Sequence, residues 1–312
     1  MNFSPGRMKV RMTDKVYNIE ERLDFFFEAS GPNLLNYNTS FWKELLVPAK
    51  IKIVSETKTE NIAAFILSES SLFVLPHRIQ IITCGDADVL ALTRSILKYF
   101  NDAKLNFVTY QRRGLVPSPD HYFERTQLQI YELLKSKLDS IANLKGLSLF
   151  YQKDKTHFEN LSTSIQVLMF DPDRNCLNSF LKARSTERIA RIFAKETSGY
   201  LKDFQVDSHD FEPIGYSINA IKDLDFYCYH FSPDEPHPYI SFELNTLKNV
   251  QLNVIIHYIL EFFICKQFEI QIHQFGEQPA SANMINNIEF KSQNLQISNL
   301  AKLKISFARN AE

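Results

Sequence analysis

The chain has 312 residues, 45% of them hydrophobic, with 35 basic against 36 acidic side chains and a formal net charge of −1. Such a length supports one large core or two fused smaller ones, and the balanced charge gives no general attraction to nucleic acid or to an anionic membrane. Four widely spaced cysteines, Cys84, Cys176, Cys228 and Cys265, form no C-x-x-C pair, which argues against a disulfide framework or a zinc site and for a reducing, cytoplasmic setting.

From the N-terminus, Met1 to Lys15 carries Arg7, Lys9, Arg11 and Lys15 but no apolar segment of the kind a secretory signal needs. β-type runs follow at Arg22–Glu28, Ile51–Ser55, Ala63–Leu67, Leu72–Leu75, Ile79–Thr83 and Asn106–Tyr110. Helical spacing places Val89, Leu92, Ile96 and Leu97 on one face over Asp88–Phe100, and Phe123, Leu128, Tyr131 and Leu134 on another over His121–Leu138. The second half repeats the theme, with strands predicted at Ser148–Gln152, Ile165–Met169, Tyr216–Ile221, Phe226–Phe231 and Tyr239–Leu244. A helix over Leu247–Phe262 precedes strands at Phe268–His273, Asn287–Phe290 and Leu303–Phe307, and the stretch after Gln278 is expected to complete the sheet. The apolar run Val254–Cys265 is broken by His257 and Glu261 and falls far short of the ~20 residues of a membrane span. Consecutive strands joined by short turns, 26 Phe, 13 Tyr and only 8 Gly predict an α+β fold. Its two antiparallel sheets pack face to face with helices on the outer faces, in one domain spanning 1–312.

One segment is out of place for a plain strand pair. Leu67-Ser68-Glu69-Ser70-Ser71-Leu72-Phe73-Val74 sets four polar residues between two apolar runs. Thr83-Cys84-Gly85 follows, then Phe211-Glu212-Pro213-Ile214-Gly215-Tyr216-Ser217, His230-Phe231-Ser232-Pro233-Asp234 and Tyr239-Ile240-Ser241-Phe242-Glu243, with the lone Trp42 upstream. Taken singly, Cys84 reads as a structural cysteine, His230 among aromatics as a core histidine, and Ser217 as a strand serine.

As an ordered set these segments resemble the eukaryotic S-adenosylmethionine decarboxylase family, which carries L-S-E-S-S-[ML]-F-V, T-C-G, F-x-P-C-G-Y-S, H-[IV]-T-P-E and Y-[VA]-S-F-E in the same order. The resemblance runs from Glu20 to the helix after Glu243. It implies a proenzyme that cuts itself between Glu69 and Ser70 into a small chain, 1–69, and a large chain, 70–312. Ser70 is a poor nucleophile, but a strained turn can hold its hydroxyl against the Glu69 carbonyl. Attack would give an ester, and elimination followed by loss of ammonia would leave a pyruvoyl group, the self-made cofactor. The resemblance gives His230 the role of base and has Ser217 steady the tetrahedral intermediate. In turnover the ketone would form a Schiff base with S-adenosylmethionine and act as electron sink for decarboxylation. Cys84 would then protonate the α-carbon, a step suited to a thiol of pKa ~8.5. The product would be the aminopropyl donor for spermidine and spermine. Leu67, Glu69, Phe211 and Asp234 are the substrate-binding residues implied, with Phe211 against adenine and the sulfonium, and Glu20 joins the catalytic set.

The departures cluster around substrate recognition. The family's F-E-G-x-E-K motif aligns with Val16 and Tyr17 in place of its Phe and first Glu, and with Glu20 as its second Glu; a second register begins at Phe27-Glu28. Asp234 stands for a ribose-binding glutamate, one methylene shorter, and Ile214 for a cysteine. Glu243 and Asp24 match acids that bind putrescine in animal members. Ser162 and Gln166 lie where further acids are expected, and Arg22 matches a plant-type arginine, which implies activity without putrescine. The resemblance also implies a homodimer of processed protomers. The alternative is a weakly active or inactive paralogue that regulates an active decarboxylase as a heterodimer.

Overall fold

The computed structural model describes residues 19–84, 87–114, 122–144, 146–153, 155–156, 163–173, 175, 201–212, 215–232, 238–247, 252–275, 284–285, 288–298 and 301–310. In the first half, β1 (Ile19–Phe27), α1 (Thr39–Leu46), β2 (Ile53–Lys58), β3 (Ala63–Leu67), β4 (Ser70–Leu75), β5 (Arg78–Cys84), α2 (Val89–Tyr99), β6 (Leu105–Gly114), α3 (Tyr122–Leu134), β7 (Ser140–Leu144) and β8 (Leu147–Tyr151) follow one another. The strands form an eight-stranded antiparallel sheet in the order β2-β3-β4-β5-β1-β6-β8-β7.

The second half contributes β9 (Thr163–Pro172), β10 (Gln205–Asp210), β11 (Tyr216–Lys222), β12 (Asp225–Ser232), β13 (Tyr239–Thr246), α4 (Leu252–Phe263), β14 (Cys265–Phe275), the small pair β15 (Met284–Ile285) and β16 (Ile288–Glu289), β17 (Lys291–Ser298) and β18 (Ala301–Asn310). Their eight-stranded sheet runs β10-β11-β12-β13-β9-β14-β18-β17. This is the path of the first sheet again: the first strand of each half inserts between the fifth and the sixth. The halves are topological copies although their residues show no repeat.

Strand alternation divides the interior into three layers. Leu23, Phe25 and Phe27 of β1 pack with Trp42 and Leu45 of α1, Leu92 and Ile96 of α2, and Ile130 and Leu134 of α3. On the other side Ile165, Val167 and Met169 of β9 meet Ile255, Ile256, Ile259 and Phe263 of α4. The helices therefore cover the outer sheet faces, and the inner faces meet each other. Asp88 caps α2 by accepting hydrogen bonds from the Leu90 and Ala91 amides.

The middle layer is only partly apolar. Phe26 stacks on Phe107 at 4.0 Å and Phe73 on Phe226 at 4.3 Å, and the Arg78 guanidinium lies over Phe26 and Phe226. Around it runs a buried ionic band. Arg22 Nε donates to Asp24 Oδ2 (2.7 Å), Arg22 Nη1 lies 3.1 Å from Glu243 Oε1, and Arg78 Nη2 donates to Asp24 Oδ1 (2.8 Å). Gln80 and Asn245 amides also donate to Glu243, and Thr109 to Asp24. Two guanidinium groups thus balance two carboxylates, as buried charge requires.

Most predicted strands are present with shifted ends, and Ala63–Leu67 coincides with β3. The helix predicted to Leu138 ends at Leu134 as α3, and α4 is described over Leu252–Phe263, ending one residue beyond its predicted end. Helix α1 and strands β7, β10 and β17 have no counterpart in the predicted elements. All three strands lie at sheet edges, where water on one side removes the apolar alternation that reveals a strand.

Candidate active site

The β3–β4 hairpin turns through only two residues, Ser68 and Glu69, with Leu67 paired to Ser70. The unusual backbone falls on the residue just after the turn: Ser70, the first residue of β4, has φ of +143°, a region that L side chains adopt at a cost of ~1–3 kcal/mol. The turn cannot relax freely. The Ser68 amide donates to the Lys52 carbonyl (2.8 Å), and the Lys52 amide donates back to the Ser68 hydroxyl (3.1 Å). Strain is therefore held at the junction between Glu69 and Ser70.

A cavity of about 260 Å³ opens beside this turn, lined by Ser68, Glu69 and Ser70 from the first sheet and by Phe211, Ser217, His230 and Tyr239 from the second. Ser217 and His230 are direct partners in the β11–β12 ladder, so a single register places both opposite the hairpin. Phe211 is positioned by its amide, which donates to the Gly215 carbonyl (2.9 Å). Gly215 has φ of +149°, and a Cβ there would come within 3.3 Å of Phe211 Cβ, so this loop requires glycine.

Behind the cavity His230 is held from several sides. Its Nε2 lies 2.8 Å from Ser71 Oγ, and its Nδ1 lies 3.4 Å from Ser241 Oγ and 3.8 Å from Glu20 Oε2. Arg113 Nη2 donates to Glu20 Oε1 at 3.0 Å. Burial alone would push the Glu20 carboxyl up. Hydrogen bonding from His230, the Arg113 charge and Ser241 outweigh burial and hold it down at about 2. Glu20 is thus an ionised carboxylate beside the ring.

The structure brings Ser70, Glu69, Phe211, Ser217 and His230 to one cavity, with Glu20 behind it. Leu67 packs into the helix-side core, and it borders the hairpin through its main chain. Cys84 closes β5 opposite Glu20 of β1, one residue beyond Thr83, the partner of Ser70. Asp24 and Glu243 lie in the inter-sheet ionic band. Val16, Tyr17, Ser162 and Asp234 lie outside the described residues. Sequence reasoning missed Ser71, Asn219, Ser241 and Arg113, which contact His230 or Glu20 directly or through one another. Their signal was the two-residue period that puts Asn219 on the face of Ser217, but only the register shows what that face meets. Among the described residues no helix is long and apolar enough to cross a membrane, and no group of three or more His, Cys, Asp and Glu could hold a metal ion.

A family model described as adenosylmethionine decarboxylase matches residues 17–310. The S-adenosylmethionine decarboxylase proenzyme of Catharanthus roseus is 29% identical over 269 residues, covering 80% of this chain and 75% of that protein. That of Spinacia oleracea is 28% identical over 281 residues, covering 81% and 77%. Among solved structures, the Trypanosoma brucei AdoMetDC-delta26 monomer aligns with a TM-score of 0.53 and 19% identity, over 77% of this chain and 99% of that one, a likeness of fold.

Proposed function

Because the chain belongs to the adenosylmethionine decarboxylase family, we propose that it cuts itself between Glu69 and Ser70 and, with the ketone so formed at residue 70, decarboxylates S-adenosylmethionine to the aminopropyl donor for spermidine and spermine synthesis. The observation that carries this reading is the strained backbone of Ser70, directly after a clamped two-residue turn and in one cavity with Ser217 and His230.

In self-cleavage the Ser70 hydroxyl attacks the Glu69 carbonyl carbon, the Glu69–Ser70 C–N bond breaks, and an ester with a free amino group remains. A serine is a weak nucleophile in water, and the turn offsets this by fixing its approach. The Ser217 hydroxyl is assigned to donate to the carbonyl oxygen as negative charge develops there. His230 then takes the α-proton of residue 70. The ester C–O bond breaks, the Glu69 carboxylate leaves, and the enamine left behind adds water and releases ammonia to give the ketone. Ionised Glu20 stabilises the ring while it carries the extra proton, the role a buried acid plays beside a catalytic imidazole.

The pyruvoyl group fits this position, since the residue that would become it sits at the mouth of a cavity with an aromatic wall. Once formed it supplies an electron sink for the pair released with carbon dioxide. Phe211 would bind the adenine and sulfonium faces, and Glu69, the new C-terminus of the small chain, would line the same cavity. The Cys84 thiol is assigned the proton that the substrate carbon takes up. The ionic band between the sheets supports activity without putrescine. Arg22 and Arg78 already neutralise Asp24 and Glu243, which leaves a diamine no unpaired acid in this set.

A denaturing gel with mass spectrometry tests the reading. Splitting 36.3 kDa in the ratio of 69 to 243 residues gives fragments of about 8 kDa and about 28 kDa. The larger should begin with a blocked residue 70, and Ser70→Ala should remain whole. An intact wild-type chain with an ordinary amide at that junction contradicts the proposal.

A further inference from the structure

Asn219 sits in the middle of β11, fully buried, in a layer where an apolar side chain would fit. Its Nδ2 is buried without a hydrogen-bond partner, which costs stability. Its Oδ1 has a single hydrogen-bond contact among those described: the hydroxyl of Ser71, across the sheet interface at 2.6 Å. Ser71 is also fully buried, and its oxygen lies 2.8 Å from His230 Nε2. Asn219 and His230 of the second sheet are therefore linked through Ser71 of the first, the residue after Ser70.

A hydroxyl has one proton to donate. Ionised Glu20 and Ser241 face Nδ1, so the neutral ring keeps its proton on Nδ1 and presents a lone pair at Nε2. The Ser71 hydroxyl can donate to that lone pair. When Nε2 takes up a proton the direction must reverse: Nε2–H now donates to Ser71 Oγ, and the hydroxyl proton needs another acceptor. Asn219 Oδ1 is within hydrogen-bond distance without any heavy atom moving. The other polar groups around the ring do not fill this place. Glu20 of β1, with Arg113 of β6 beyond it, and Ser241 of β13 lie on the Nδ1 side, and Ser217, Glu69, Glu212 and Tyr239 line the cavity.

We infer that Asn219 is a positioning residue for self-cleavage, accepting the Ser71 hydroxyl proton so that His230 can hold a proton on Nε2. This rests on the reading of His230 as the base, and it adds a two-residue relay to that reading.

The test follows conversion of the full-length chain, made by cell-free translation, from intact to split form between about pH 5 and 9. Splitting accelerates as the ring loses its proton, so removing a group that stabilises the protonated ring lowers the midpoint. Asn219→Leu should move it down by about one pH unit and cut the plateau rate about three- to tenfold. Asn219→Asp keeps an acceptor and should move it up. In a Ser71→Ala background, where the link is already broken, Asn219→Leu should add no further shift. A midpoint unmoved in Asn219→Leu, or moved upward, overturns the inference. So does an equal shift with and without Ser71, which would mark a general packing effect. A wild-type chain that never splits removes the self-cleavage reading, and the relay with it; a wild-type chain that splits beside an unmoved Asn219→Leu midpoint removes the relay alone.

Discussion

Replacing Glu20 by Gln keeps the shape of the side chain and removes a charge that the fold works to retain. The carboxyl falls from 4.5 to about 2 despite complete burial, and at 1.36 kcal/mol per unit this corresponds to about 3 kcal/mol of stability. The folded-state value is depressed, so the contribution is complete above about pH 4.5 and is lost as pH falls towards 2. Gln does not titrate, and it leaves buried Arg113 facing a neutral partner. In a Ser70→Ala background, which keeps the chain in one piece, urea unfolding at pH 7 should show Glu20→Gln less stable by about 3 kcal/mol. The gap should narrow steadily below pH 4.5. A penalty under about 1 kcal/mol at pH 7, or one equally large at pH 7 and pH 3, would refute the picture of an ionised carboxylate held by Arg113 and His230.

Ser70→Gly and Ser70→Ala should both stay uncleaved, but the glycine variant should be more stable by about 1 kcal/mol in thermal unfolding, because it adopts φ of +143° without steric cost. Arg22→Met leaves Glu243 and Asp24 with one guanidinium between them and should cost about 3–5 kcal/mol. Putrescine should recover part of that loss while raising the rate of the wild-type enzyme less than about twofold; a severalfold wild-type activation would contradict a self-neutralised band. Gly215→Ala should displace Phe211 and raise KM about tenfold, the equivalent of ~1.4 kcal/mol, with chain splitting preserved; an unchanged KM would remove Phe211 from the binding surface. Cys84→Ala should split normally yet release labelled carbon dioxide at least about tenfold more slowly, and unaffected turnover would exclude the thiol as proton donor.

Much of the site was legible along the chain because its chemistry is local. Ser70 lies in a short polar interruption between apolar strands, and the segments holding Cys84, Phe211, Ser217 and His230 keep a recognisable order. The strands of the sheet centres were legible too, since apolar residues recur every second position in Leu23, Phe25 and Phe27 or Ile165, Val167 and Met169, although the structure buries both faces of these strands. The edges were not. Gln205–Asp210 and Lys291–Ser298 are polar segments that become strands because a neighbour offers hydrogen bonds. Helix α1 is only eight residues long and depends on its Asn38 cap and on packing of Trp42 and Leu45 rather than on its own propensity.

What the sequence by itself determined was the layering and the polar segment in which the proposed junction lies, since both depend on residue type and on periods of two or about four. Only the tertiary structure decided that the halves repeat one topology, that Arg22 and Arg78 neutralise Asp24 and Glu243, and that Asn219 reaches His230 through Ser71. Apart from the local Arg22–Asp24 pair, the direct contacts involved join residues more than fifty positions apart, some across opposing sheets. Hydrogen bonds of under 3 Å depend on strand register and sheet-to-sheet docking, quantities set by the sum of all contacts and carried by no single segment.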